Sequence, residues 1–212
     1  MNAQTGTAQD RERWYLLLDP HWTPVEEDGT PPIEAVAGAW PVGADREVGL
    51  FQPNLDFAPV DANLPTDPID AVLRELAEGR GEPEQVQVLL RECLVFQAMN
   101  GDGRPLVMDA PDGLPCVVLA TAAPHLARID SPAWRRVDLA DLVERLGRGI
   151  DVLFNPDGPA AVRLAGDFVR AGLTMSDEEA AVYEPFTGTE GGLYVLPWDG
   201  DAGPVGPDGG QS

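Results

Sequence analysis

Residues 94–122, LVFQAMNGDGRPLVMDAPDGLPCVVLATA, hold three short apolar runs divided by two glycine-bearing turns. The runs LVFQAM, PLVMDA and PCVVLA are rich in the branched and aromatic side chains that suit a pleated, half-buried surface. Gly-Asp-Gly at 101–103 and Asp-Gly-Leu at 112–114 are hairpin-type connections, since glycine supplies the backbone freedom a tight turn needs. The stretch predicts an antiparallel meander.

Helical spacing on either side then sets the class. In TDPIDAVLRELAEG (66–79), Asp67 is placed to cap a helix whose first turn holds Pro68, where a missing N–H costs nothing. Ile69, Val72, Leu73 and Leu76 recur on one face, and Gly79 stops the helix. PEQVQVLLREC (83–93) predicts a second helix. DLADLVERLG (138–147) predicts another, capped by Asp138, with Leu139, Leu142, Val143 and Leu146 toward the core and Gly147 at its end. GIDVLF (149–154) reads as a buried strand ending in the loop Asn155-Pro156-Asp157-Gly158-Pro159. AVRL (161–164) fits a short strand or a helix start, and AGDFVRAG (165–172) is weakly helical. The expected fold is α+β: a mixed, mostly antiparallel sheet packed with a few short helices.

Four regions follow from composition. Residues 1–10 are polar and expected to be disordered. Residues 11–66 are β-rich, with candidate strands RWYLLLD (13–19), AVAGAWPV (35–42) and EVGLFQPN (47–54) separated by proline-dense loops. Residues 67–173 form an α/β unit. Residues 174–212 make an acidic tail rich in glycine and proline, expected to be partly disordered. Within it, GLYVLPW (192–198) is apolar enough to dock as an edge strand, on this chain or on a partner.

The formal net charge is −22, and all 14 basic residues are arginine. Such a chain repels nucleic acid and anionic lipid, while a basic protein surface is allowed as a partner. No run approaches the roughly 20 apolar residues of a membrane helix. The only apolar run near the N-terminus, Trp14 to Leu18, is too short for a signal-peptide core. The expectation is a cytoplasmic protein without membrane insertion. Cys93 and Cys116 sit in apolar runs and are expected to be buried, reduced thiols.

Candidate chemistry is sparse. His21 and His125 are far apart, each beside a proline, and neither belongs to a nucleophile-elbow, HExxH or Cys–His signature. His125 reads as a surface-loop residue rather than a general base. Serine occurs only at 131, 176 and 212. A calcium loop starting at Asp199 fails, because its sixth position is Pro204 and its twelfth is Gly210. Neither a metal site nor a cofactor is expected, and no pair of carboxylates stands out for hydrolysis. The loop Asn155-Asp157-Gly158, with Arg163 beyond it, is the nearest substitute for an anion cradle, although the same residues serve a tight turn for backbone reasons alone. Trp14, Trp22 and Trp40 cluster early in the chain. Tryptophans in a small β-region more often form its core, and the same cluster can form a recognition surface.

The order of elements from 67 to 172, namely DPIDAVLRELAEG, a second helix, LVFQAMNGDGRPLVMDA, PCVVLATA, DLADLVERL and GIDVLFNPDGPAAVRL, resembles the SseB N-terminal domain family. WYLLLDPHW, PPIEAVAGAWPV, GLFQPNLDFAP and PTDPIDAVLR look like the start of the actinobacterial type VII secretion system-associated proteins that carry such a region. The lysine-free composition agrees with an actinobacterial source. The resemblance implies a non-enzymatic accessory protein that binds a secreted substrate or a secretion component as adaptor or chaperone, and it supplies no catalytic residues. The alternative is an immunity-type or small-ligand-binding protein using the loop from Asn155 to Arg163.

Overall fold

The computed structural model describes residues 13–23, 29–183 and 194–198. The expected disorder at 1–10 and most of the expected tail disorder lie outside these residues. The class is α+β, with two sheets and short helices.

The first sheet has the order β10-β1-β2-β3 and is antiparallel throughout. Its strands are β1 (Arg13–Leu18), β2 (Val36–Val42), β3 (Gln52–Pro53) and β10 (Tyr194–Trp198). EVGLFQPN thus yields a much shorter strand than its composition suggests. Phe51 leaves the ladder to bridge Cys93, its N–H donating to the Glu92 carbonyl at 2.7 Å and its carbonyl accepting from Leu94 at 2.9 Å. That bridge stitches the first sheet to the second. Part of the expected tail, β10, pairs with β1 of this chain, as its apolar sequence allows.

The second sheet has the order β7-β4-β6-β8-β9. It comprises β4 (Val95–Met99), β5 (Val107–Asp109), β6 (Pro115–Ala120), β7 (Ala133–Val137), β8 (Asp151–Phe154) and β9 (Val162–Leu164). The meander needs correction. Both glycine turns form, but β4 pairs directly with β6 through Phe96↔Ala120 and Gln97↔Leu119, while the three-residue β5 takes only the other end of β6. Every residue of β4 is buried and every residue of β5 exposed, so β4 takes the interior place. The sheet is mostly antiparallel, with β6 and β8 as its parallel pair.

The helices are α1 (Pro68–Ala77), α2 (Glu84–Glu92), α3 (Ala123–Leu126), α4 (Leu139–Arg145), α5 (Gly166–Ala171) and α6 (Asp177–Ala180). Asp67 caps α1, accepting from the Ile69 and Asp70 amides, and Asp138 caps α4. The open junction after 160 resolves as β9 followed by α5; β7 and α3 carried no clear signal.

One apolar cluster crosses the boundary at residue 67. It joins Leu17, Ala37 and Phe51 of the first sheet to Ile69, Leu73, Val86 and Leu90 of α1 and α2, and to Val95, Leu119, Val152 and Phe154 of the second sheet. Burying each large side chain contributes about 1.5–3 kcal/mol. A smaller cluster of Leu16, Leu18, Val36 and Ala39, with Trp14, Trp22, Leu196 and Trp198 against it, lies on the opposite face of β1 and β2. Alternation along β1 places Leu16 and Leu18 on one face and Leu17 on the other, and the register shift at Leu17/Leu18 brings Val36 and Ala39 of β2, three residues apart, to the same cluster. Gly38 is required where it stands, because a Cβ there would lie 2.3 Å from the Phe51 ring.

Candidate functional site

Two regions gather polar or aromatic side chains: the C-terminal ends of β6 and β8, and the end of the first sheet where β1 begins. Parallel strands β6 and β8 run side by side and stop together, which puts Thr121 beside Asn155. The Asn155 side chain accepts from the Thr121 amide at 3.0 Å and donates to the Thr121 hydroxyl at 2.9 Å. That hydroxyl donates to Asp67 at 2.6 Å, and the Thr66 hydroxyl donates to the same carboxylate oxygen at 2.9 Å. His125 Nε2 lies 3.0 Å from the Thr66 hydroxyl and 3.6 Å from Asp70. Asp70 accepts from Arg74 Nε at 2.9 Å and from the Thr66 amide at 3.1 Å.

The expectation that His125 is a surface-loop residue is wrong. It is 1% exposed, because α3 carries it inward against the N-terminus of α1. Its geometry also decides what the cluster can do. With the Thr66 hydroxyl given to Asp67, Nε2–H is the donor toward Thr66, and Nδ1 has no partner. A hydroxyl–imidazole–carboxylate relay needs the hydroxyl and the carboxylate on opposite ring nitrogens. Here both stand at Nε2. The cluster is a closed clasp that ties the first turn of α1 to two strand ends.

The charges inside the clasp fit that role. Burial pushes the Asp67 carboxyl above its usual range, reinforced by neighbouring Asp70, with His125 and Thr121 opposing. Burial pushes Asp70 up as well, but His125 and Arg74 outweigh it and leave the group below its usual value. Burial raises the Cys93 thiol, with Asp67 and Glu92 adding to the effect. Cys93 and Cys116 are free and buried.

The loop from 155 to 159 completes the clasp. Asn155 and Asp157 adopt left-handed backbone, with φ of 46° and 59°, a conformation Asn and Asp tolerate better than most residues. Gly158 lets the loop close on the imidazole: a Cβ would lie 2.7 Å from the Asn155 carbonyl and 3.1 Å from His125 Nδ1. Arg163 does not join Asn155. It reaches Asp151 at 2.5 Å and Asp112 at 2.7 Å, on the neighbouring part of the sheet. The four loop candidates therefore divide: Asn155 is built into the clasp, Gly158 packs on it, Asp157 is exposed with its carbonyl taken by Arg128, and Arg163 is held by two carboxylates.

The tryptophans divide too. Trp40 packs on the main core, its ring 4.6 Å from that of Phe51 and tilted by 51°. Trp22 lies against the second cluster. Trp14 stands directly opposite Trp198 across the β1–β10 ladder. Around that pair is a hollow of about 240 Å³ walled by Arg13, Trp14, Tyr15, Val42, Arg46, Pro197 and Trp198. Sequence reasoning singled out Trp14 but missed its partners. Arg46 and Trp198 lie far along the chain, and only strand pairing brings them to Trp14. The clasp residues Thr66, Asp70 and Thr121 were missed for the same reason, although Asp67 was legible as a cap.

Among the described residues, no group of three or more His, Cys, Asp or Glu is placed to hold a metal ion, and no helix is long and apolar enough to cross a membrane. No family model, curated protein or solved structure matches the chain.

Proposed function

We propose that this chain is a non-enzymatic accessory protein of type VII secretion, acting in the cytoplasm as an adaptor or chaperone that holds a secreted substrate or a component of the machine. The resemblance described above supports this reading. The observation that carries it is the aromatic end of the first sheet. Tryptophan, tyrosine and arginine dominate the binding energy of protein interfaces, and Arg13, Trp14, Tyr15, Arg46 and Trp198 line one hollow there. The contrasting clasp spends its polar groups on its own fold.

The test is affinity capture of the tagged full chain from its native host, paired with a deletion strain. Recovery of a secretion component or cargo, together with altered secretion after deletion, is the expected result. Capture of neither, with secretion unchanged in the deletion strain, overturns the reading.

A further inference from the structure

We propose that the edge of β1 is an exchangeable strand-docking site: β10 fills it in the free chain, and an extended apolar strand of a partner takes β10's place. This inference rests on the adaptor reading and names the contact through which the partner is held. The hydrogen-bonding phase of the first sheet decides which backbone groups β1 offers. On either side of the Val42↔Val48 bridge, the Gly43 amide donates to the Glu47 carbonyl at 2.8 Å and the Gly49 amide to the Pro41 carbonyl at 2.7 Å. The backbone polar groups of Pro41 and Gly43 therefore point away from β1, and those of Val42 point toward it. Val42 pairs with Arg13. The N–H and C=O groups of Arg13, Tyr15 and Leu17 consequently face β2, while those of Trp14, Leu16 and Leu18 face β10. The Asp19 amide keeps this phase, donating to the Ala35 carbonyl at 2.9 Å.

On β10, Trp198, Leu196 and Tyr194 stand opposite those three residues of β1. Val195 and Pro197 turn their backbone outward, so the missing N–H of Pro197 costs the ladder nothing and blunts the outer edge of β10. At the other side of the sheet, β3 is only two residues long. A visiting strand therefore gains most by replacing β10, because β1 offers three residues with both backbone groups aimed at it. Packing separates the two strands as well. Leu16, Leu17 and Leu18 are at most 1% exposed, whereas Val195, Leu196 and Trp198 are part exposed and Pro197 is exposed. β10 is the lightly held member of the pair, and such edges open first. Ten residues, 184–193, join it to Tyr183. A chain of that length reaches roughly 33–36 Å when extended, enough for β10 to leave and return.

β10 is also the template for its replacement. Leu196 and Trp198 lie against the cluster of Leu16, Leu18, Val36 and Ala39, and Val195 lies against the main core. The visiting strand needs large apolar side chains opposite Trp14 and Leu16 and a smaller one opposite Leu17. Backbone hydrogen bonds then supply affinity, and the alternate side chains supply specificity. The net charge of −22 opposes a second copy of this chain and favours a strand with basic flanks. The tether holds β10 at an effective concentration of about millimolar, so a visitor binds in proportion to the fraction of time the edge is free.

Two measurements on the full chain test this. In amide hydrogen exchange, the Leu16 and Leu18 amides, which face β10, are expected to exchange at least about a hundredfold faster than those of Tyr15 and Leu17, which face β2. Equal protection of the two sets overturns the proposal. The second measurement titrates a fluorescein-labelled peptide, Lys-Gly-Leu-Tyr-Val-Leu-Pro-Trp-Gly-Lys, into the parent and into Leu196→Asn, whose own β10 is weakened. The variant, verified as folded by circular dichroism, is expected to bind about tenfold more tightly, because its edge is free more often. The same peptide with asparagine for its second leucine is expected to lose at least that factor. Equal affinity of parent and variant overturns the proposal, as does equal affinity of the two peptides or no binding to the variant. A parent that sediments as a stable dimer dissociated by the peptide gives the edge to a second copy and overturns the partner assignment. Peptide failure with secretion components still captured removes this inference alone, whereas specific peptide exchange without such capture removes the adaptor reading alone.

Discussion

The clasp around His125 and the hollow around Arg46 are built from similar materials and put them to opposite use. Each contains an arginine near aromatic or imidazole rings and a buried nitrogen without a partner, His125 Nδ1 in one and Trp14 Nε1 in the other. In the clasp, Arg74 is held by Asp70 and the Asn63 carbonyl, and Asp67 is held by two hydroxyls and two backbone amides. Its Thr66, Asp67, Asp70, Thr121, His125 and Asn155 are buried, so its electrostatics act on folding. In the hollow, Arg46 has no carboxylate partner among the described residues, and the rings are part exposed. Unpartnered atoms do not separate the two regions, since Asp70 Oδ1, Arg74 Nη2 and His125 Nδ1 also lack hydrogen-bond partners among the described residues in the clasp; access to solvent does.

The comparison is broken most severely by removing the hub of the clasp. Asp67→Ala loses the α1 cap and strands the Thr66 and Thr121 hydroxyls, and is expected to cost about 3–4 kcal/mol in urea unfolding. A loss below about 1 kcal/mol would mean that the clasp is not structural. Gly158→Ala drives a methyl group into the Asn155 carbonyl and the His125 ring, with an expected loss of about 2 kcal/mol by the same measurement.

Asn155→Ala is expected to lose about 1–2 kcal/mol. Its partner capture should stay intact under conditions where the variant is folded. Lost capture in the folded variant would return the loop to the role of a binding site.

The acid range sharpens the contrast further. Asp70 has a folded pKa below its unfolded value, so its contribution is complete above the ordinary carboxylate range and is lost as pH falls through the folded value. Asp67 has the opposite shift, so its contribution is complete below its unfolded value and is lost as pH rises through the raised folded one. Urea midpoints followed downward in pH should fall less steeply in Asp70→Asn than in the parent. An equal slope would show that Asp70 is not held as its contacts indicate.

The smallest expected effect falls on the hollow. Arg46→Ala should change stability by no more than about 0.5 kcal/mol in the same unfolding experiment. A larger loss would make Arg46 a structural residue.

Much of the architecture was legible because its signals are local. The cap at Asp67, the stop at Gly79 and the apolar stripe between them all lie within 14 residues, and α1 forms as they indicate. β1, β2, β6 and β8 were legible from apolar runs bounded by turn residues. β7 was not, because AWRRV carries two arginines and only Val137 of its residues is buried. His125 was misplaced because a short loop with proline and alanines reads as surface. Nothing within that loop announces that Thr66 and Asp70, more than 50 residues earlier, will receive the ring.

By itself, the sequence determined the α+β class, the caps and turns, the buried thiols and the strand-forming character of residues 194–198. These depend on backbone propensity and on the period of apolar side chains, which neighbouring residues carry among themselves. The tertiary structure alone decided that β4 lies against β6, that Asn155 closes a clasp instead of lining a pocket, and that Trp14 meets Trp198 beside Arg46. Those outcomes depend on which distant segments share a core and which edges pair. Burial and strand register settle that only when the whole chain packs.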